Sequence, residues 1–177
     1  MVTRQRLSPD DWLKAGLDAL ARLGPEGLKA EPLARALGTT KGSFYWHFAD
    51  VPTYQKQVLE HWSALNAAPA EPPKKKKEAV AELKQLMEEG FGEDGAAEAA
   101  MRTWARTDPE VEAAVSKIDA ERIERIKVLL DKLGVTNPEI PRALYAARIG
   151  AAQIAKGKDK TNKAAIETLV DLVIALR

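Results

Sequence analysis

Eighteen consecutive residues, Pro32 to Ala49, read PLARALGTTKGSFYWHFA and include Arg35, Lys41 and His47 but no Asp or Glu. The chain as a whole is almost neutral, with 27 Lys plus Arg against 26 Asp plus Glu in 177 residues. A net charge of +1 exerts no bulk pull on nucleic acid or on a membrane, so a polyanion has to be bound by a local patch. This acid-free segment is such a patch. On a 100° helical wheel Phe44 and Phe48 share one face with Leu37 behind them, while Gly42, Ser43, Tyr45 and Trp46 project sideways and outward. Four consecutive aromatic or His residues, Phe44, Tyr45, Trp46 and His47, cannot all enter one core. The outward ones have chemistry to offer: Tyr45 and Trp46 combine apolar surface, suited to a thymine methyl, with donors for phosphate oxygens. Thr40 can cap the helix and present its hydroxyl to a phosphate, and Lys41 adds a cation beside the anion-favouring helix start. Gly42, without a side chain, lets the backbone approach a phosphate or a base edge.

The elements that would hold these residues are punctuated clearly. Period-two runs of β-branched residues are nearly absent and helix signals are dense, so the chain reads as all-α. Ser8, Pro9, Asp10 and Asp11 start a first helix with Trp12, Gly16, Leu20 and Leu23 as its stripe, and Gly24-Pro25 ends it. A short helix from about Glu31 to Leu37 stops at Gly38, and a second runs from Thr40 to about Phe48, which is helix-turn-helix spacing. A longer helix follows from Asp50 or Val51 to about Ala67. Pro69, Pro72 and Pro73 then break the pattern ahead of the run Lys74 to Lys77, which marks a boundary. Further helices are predicted at roughly 75–89, 95–106, 109–133, 138–156 and 162–176.

Other chemistries find little support. Zero cysteines exclude disulfides, thiolate nucleophiles and Cys-ligated metals. His47 and His61 are the only histidines and fall on different predicted helices, so no metal site and no catalytic pair is expected, and no cofactor. The stretch from Gly90 to Gly95 matches GxGxxG in form, but it follows a helix instead of a strand and carries Glu93 and Asp94 where a pyrophosphate would sit, so it reads as an interhelical loop. Glu88, Glu89, Glu93 and Asp94 match no calcium loop, and Lys74 to Lys77 reads as a solvated charge run. Neither a signal-peptide core nor an 18-residue apolar span is visible, so a cytoplasmic protein without membrane association is expected.

The run Leu33-Ala34-x-x-Leu37-Gly38-x-x-Lys41-Gly42-Ser43-Phe44-Tyr45-Trp46-His47-Phe48, followed by Asp50, resembles the TetR family of transcriptional regulators. The resemblance covers residues 8 to 65. It implies a three-helix DNA-binding domain over residues 1–50 and a helical domain for ligand binding and dimerisation over 51–177, with the helix 51–67 linking the two. It assigns Lys41, Ser43 and Tyr45 to base or groove contact, and Thr40, Trp46 and His47 chiefly to the DNA backbone. Lys29, Lys56, Arg4 and Arg6 could add phosphate neutralisation. Val51 stands where many members carry Lys.

The last two helices are apolar on nearly every side, so one face is expected to meet a second copy of the chain through Ala146, Ile149, Gly150, Leu169 and Val173. Met87, Phe91, Met101, Trp104 and Tyr145 could line a pocket for a small apolar or aromatic effector, with Arg102, Arg106 or Gln153 as polar anchors, although such a set also serves as plain core. The resulting expectation is a non-enzymatic, ligand-responsive repressor that binds a pseudo-palindromic duplex operator as a homodimer. The rival is a helical-bundle adaptor or small helical enzyme that does not bind DNA.

Overall fold

The computed structural model describes residues 7–69, 71–91, 93–154 and 161–175, with only the backbone of residues 93 and 94. Arg4 and Arg6 lie outside the described residues, as does Ala155. The described residues form α-helices and no strand, as the punctuation predicts: α1 (Pro9–Leu23), α2 (Ala30–Ala36), α3 (Lys41–His47), α4 (Val51–Leu65), α5 (Lys76–Glu88), α6 (Glu93–Trp104), α7 (Pro109–Leu133), α8 (Ile140–Ile154) and α9 (Thr161–Ala175). Two compact units result, one of residues 1–66 with 97–115, the other of residues 67–96 with 116–177.

In the first unit α1 opens with a reciprocal cap, the Asp11 amide donating to Ser8 Oγ at 3.3 Å while the Asp11 carboxylate accepts from the Ser8 amide at 2.8 Å. The Ser8 amide and the Ser8 hydroxyl, which donates to the same carboxylate at 2.7 Å, hold the Asp11 carboxyl below its ordinary value. Trp12, Gly16 and Leu20 are buried as the stripe predicts, but Leu23 is 63% exposed. The cause is the glycine-proline stop: a single 3-10 turn, Gly24–Gly27, redirects the chain and burial passes to Leu28. Gly16 is required by packing. A Cβ there would run into the Tyr54 hydroxyl and stand 2.9 Å from Val58 Cγ2, so its absence lets α4 close on α1. The Tyr54 hydroxyl donates to the Trp12 carbonyl at 2.7 Å, and its burial pushes the phenol well above the usual tyrosine range.

The second unit is built on Leu83, Met87, Ile126, Leu129, Leu130, Leu144, Ile166 and Val170, which form one buried cluster from α5, α7, α8 and α9. Ion pairs tie α5 to the last helix at its edge: Lys84 to Asp171 and Lys163 to Glu88, both at 2.7 Å. The lysine run at the start of α5 opposes the helix dipole, and Glu78 offsets this by accepting from the amides of Lys74 (3.1 Å) and Lys75 (3.0 Å). Where the sequence reading places an interhelical loop over Gly90 to Gly95, α6 already begins at Glu93.

Candidate nucleic-acid interface

The turn between α2 and α3 is fixed by three backbone bonds: Leu37 to the Leu33 carbonyl (2.9 Å), Gly38 to Arg35 (3.2 Å) and Thr39 to Ala34 (2.9 Å). Gly38 has φ +61°, the left-handed region that ends a helix cheaply only with glycine. Thr40 then caps α3, its Oγ1 accepting from the Ser43 amide at 3.3 Å. The hydroxyl hydrogen is left for an acceptor outside the helix.

Phe44 and Phe48 anchor α3. Phe44 is fully buried and meets Trp12 (5.5 Å between ring centroids), Phe48 (5.2 Å) and Tyr54 (5.0 Å), and Phe48 closes the box against Tyr54 at 4.8 Å. Each such aromatic pair contributes about 0.5–1.5 kcal/mol beyond its area. With that face committed to the core, the opposite face is presented outward: Tyr45 is 46% and Trp46 67% exposed, and Lys41 and Gly42 are exposed beside them. The Lys41 ammonium lies 5.8 Å from the Tyr45 ring centroid, an i,i+4 cation–π contact. A Cβ at Gly42 would meet only Thr40 Oγ1, at 3.7 Å, so nothing inside the molecule calls for glycine there. Ser43 and His47 are half-buried, and His47 stacks edge-on to Trp46 at 5.0 Å.

The outlying cations differ from these. Lys29 is exposed but paired with Glu26, and Lys56 sits 3.8 Å from Glu110 on the first turn of α7, in the same unit. Arg35 pairs with Glu31 at 3.1 Å. Among the described residues no carboxylate pairs with Lys41. Asp50, which closes the acid-free segment, is turned onto its own helix: it accepts from the Thr53 amide at 2.7 Å, and bonds from Thr53 hold its carboxyl below the ordinary value.

Residues 13–50 match the model of the bacterial regulatory proteins of the tetR family. The N-terminal domain is a tetR-family DNA-binding domain. The fold of the whole chain is similar to that of a "putative TetR-family transcriptional regulator from Rhodococcus sp.", with a TM-score of 0.71 at 17% identity, over 94% of this chain and 98% of that one. A comparison with curated protein sequences gives no match. The chain is thus a transcriptional regulator by its tetR-type domain, and α3 occupies the recognition-helix position of a helix-turn-helix.

Beyond this domain, the structure separates the residues considered for an effector. Met87, half-buried Phe91 and Tyr145 belong to the core of the second unit, whereas Met101 (fully buried) and Trp104 belong to the first. Of the self-association set, Ala146 and Gly150 are exposed and Ile149 and Leu169 half-buried, but Val173 is 8% exposed and packs into its own core. Large apolar side chains that do face outward on these helices are Ile154 (71%) and Leu172 (61%).

Sequence reasoning missed a buried polar group in the second unit. Arg148, 1% exposed, donates from Nη1 to the Glu89 carbonyl at 2.6 Å and lies 5.0 Å from the Tyr145 ring centroid. The Tyr145 hydroxyl donates to Asp119 at 2.7 Å, and burial, reinforced by that bond, raises the phenol above its ordinary value. Arg122 and Arg125 are also buried, Arg125 donating to the Glu71 carbonyl at 2.8 Å and pairing with Glu82. Their signal was present in the periodicity, since positions 118, 122, 125, 126 and 129 form one face of α7 and two of them are arginine.

Among the described residues no helix is long and apolar enough to cross a membrane.

Proposed function

We propose that the chain is a repressor that binds a pseudo-palindromic operator as a homodimer and releases it when a small molecule occupies the C-terminal helices. The observation that supports this reading best is the outward face of α3, where Lys41, Gly42, Tyr45 and Trp46 stand together without a carboxylate on the helix. In the major groove Lys41, Ser43 and Tyr45 read base edges, while Thr40, Trp46 and His47 hold phosphates. Lys29 and Lys56 add sequence-independent attraction. A two-fold dimer would set two copies of α3 about 34 Å apart, one turn of duplex.

The second copy docks on the faces of α8 and α9 that carry Ala146, Gly150, Ile154 and Leu172, with Ile149 and Leu169 at the margin. Small residues on α8 allow close approach of a partner helix. The effector is a mostly apolar molecule bound near Met101 and Trp104 of α6, and it weakens DNA binding by preferring one dimer state over another. The chain acts by binding, with no reaction catalysed.

Selection of bound duplexes from a random pool, with and without a metabolite extract, tests the whole reading. An inverted repeat should be enriched, and the extract should deplete it. Enrichment of a single unrepeated site would refute the dimeric mode, and no enrichment at low salt would favour an adaptor. For the effector, titration into wild-type protein and Trp104→Phe should give a fluorescence change only in the former; Trp12 is unsuited to replacement because it is fully buried against Phe44.

A further inference from the structure

We propose that Glu110 is a further determinant of DNA affinity, which holds Lys56 in an internal ion pair that a DNA phosphate must break. The inference rests on the reading above in which Lys56 neutralises a phosphate. Its basis is where the two side chains are mounted. Lys56 projects from a rigid stretch of α4, between fully buried Tyr54 and fully buried Val58. Glu110 projects from the first turn of α7, whose backbone is fixed by Asp108, which accepts from the Glu110 amide at 3.0 Å and the Val111 amide at 3.2 Å. Val111 (1% exposed) and Val115 (6%) anchor that turn in the same unit. Two anchored segments thus bring an ammonium and a carboxylate to 3.8 Å.

Both side chains are more than half exposed, so the pair adds little to folding. Its effect is on availability. A phosphate that takes Lys56 must first break this pair, and that competition weakens DNA binding. Any displacement of the first turn of α7 relative to α4 alters how far Lys56 is withheld, so this contact is a point at which DNA affinity can be tuned without touching α3. Glu110 is therefore a positioning residue, and it carries the sign opposite to that of a DNA contact.

The test is a double-mutant cycle in the full-length protein, with a random-sequence duplex as the probe because phosphate contacts are sequence-independent. Glu110→Gln should tighten binding about two- to fivefold at low salt, the range expected for an exposed ion pair. The gain should shrink as salt rises. Lys56→Ala should weaken binding, and in that background Glu110→Gln should change nothing. Matching melting curves establish that all variants are folded. A tightening by Glu110→Gln that persists without Lys56 means plain repulsion and overturns the proposal. So does a silent Glu110→Gln beside an effective Lys56→Ala, which leaves the DNA-binding reading intact. If Lys56→Ala is itself silent, the phosphate role of Lys56 fails and the proposal falls with it. If wild type binds no duplex at all, the function proposed above is what fails.

Discussion

Gly42 offers the sharpest single perturbation of the interface, because its effects on the free protein and on the complex should have opposite signs. In the free protein a methyl group at this position meets only Thr40 Oγ1, at 3.7 Å, an ordinary van der Waals separation. The backbone is helical, so Ala is the better residue there by up to about 1 kcal/mol, and less in the first turn. Gly42→Ala should therefore raise the melting temperature by roughly 1–4 °C in a domain of this size. If glycine is there because a phosphate or base edge approaches the Cα, the added methyl overpacks the complex at a cost of about 1–3 kcal/mol. This corresponds to roughly 5- to 150-fold weaker binding. Thermal melting and fluorescence anisotropy on a selected duplex measure the two quantities. Gly16→Ala is the contrasting control: its Cβ collides with Tyr54 and Val58, so it should lower stability before any DNA is added. A Gly42→Ala protein that is more stable and binds DNA as wild type does would refute close approach at α3. A less stable one would refute the open space on which the reasoning rests.

Leu172→Asp should convert a dimer to a folded species near 19.4 kDa in sedimentation, whereas Val173→Asp should unfold the chain, because Leu172 is 61% exposed and Val173 packs into its own core. Arg148→Ala should destabilise by about 3 kcal/mol in denaturant melts, since it removes the donor to the Glu89 carbonyl and the cation beside the Tyr145 ring and leaves a void. Glu88 is held below its ordinary value of 4.5, chiefly by the bond from Lys163, so its contribution to stability is complete above that pH and is lost as pH falls through the lowered value. Urea midpoints between about pH 5 and 3 should therefore fall more for wild type than for Glu88→Gln; equal slopes would refute the assignment.

Helix positions were legible because each end is written in local chemistry: Ser8 with Asp11, Thr40 and Asp50 cap helices in the structure as their residue types require. The division of α3 into inward and outward faces was legible for a related reason. Phe44 and Phe48 are four apart, and a seven-residue helix has only one face that can be buried against α1 and α4. Burial in the second unit was harder to read, because it depends on partners distant in sequence. Arg148 interrupts an otherwise apolar stretch of α8, yet it is among the most buried of the described residues, since the end of α5 supplies a carbonyl for it 59 residues away. Val173 and Leu172 are adjacent and equally apolar, and only the packing against α5 and α8 decides which one faces solvent. The same limit explains Glu110. Nothing in the first turn of α7 marks that carboxylate as a neighbour of Lys56, 54 positions earlier in the chain. Residues that read DNA can thus be found from type and spacing along one short helix, while residues that set how readily the DNA is held emerge only when distant segments are brought side by side.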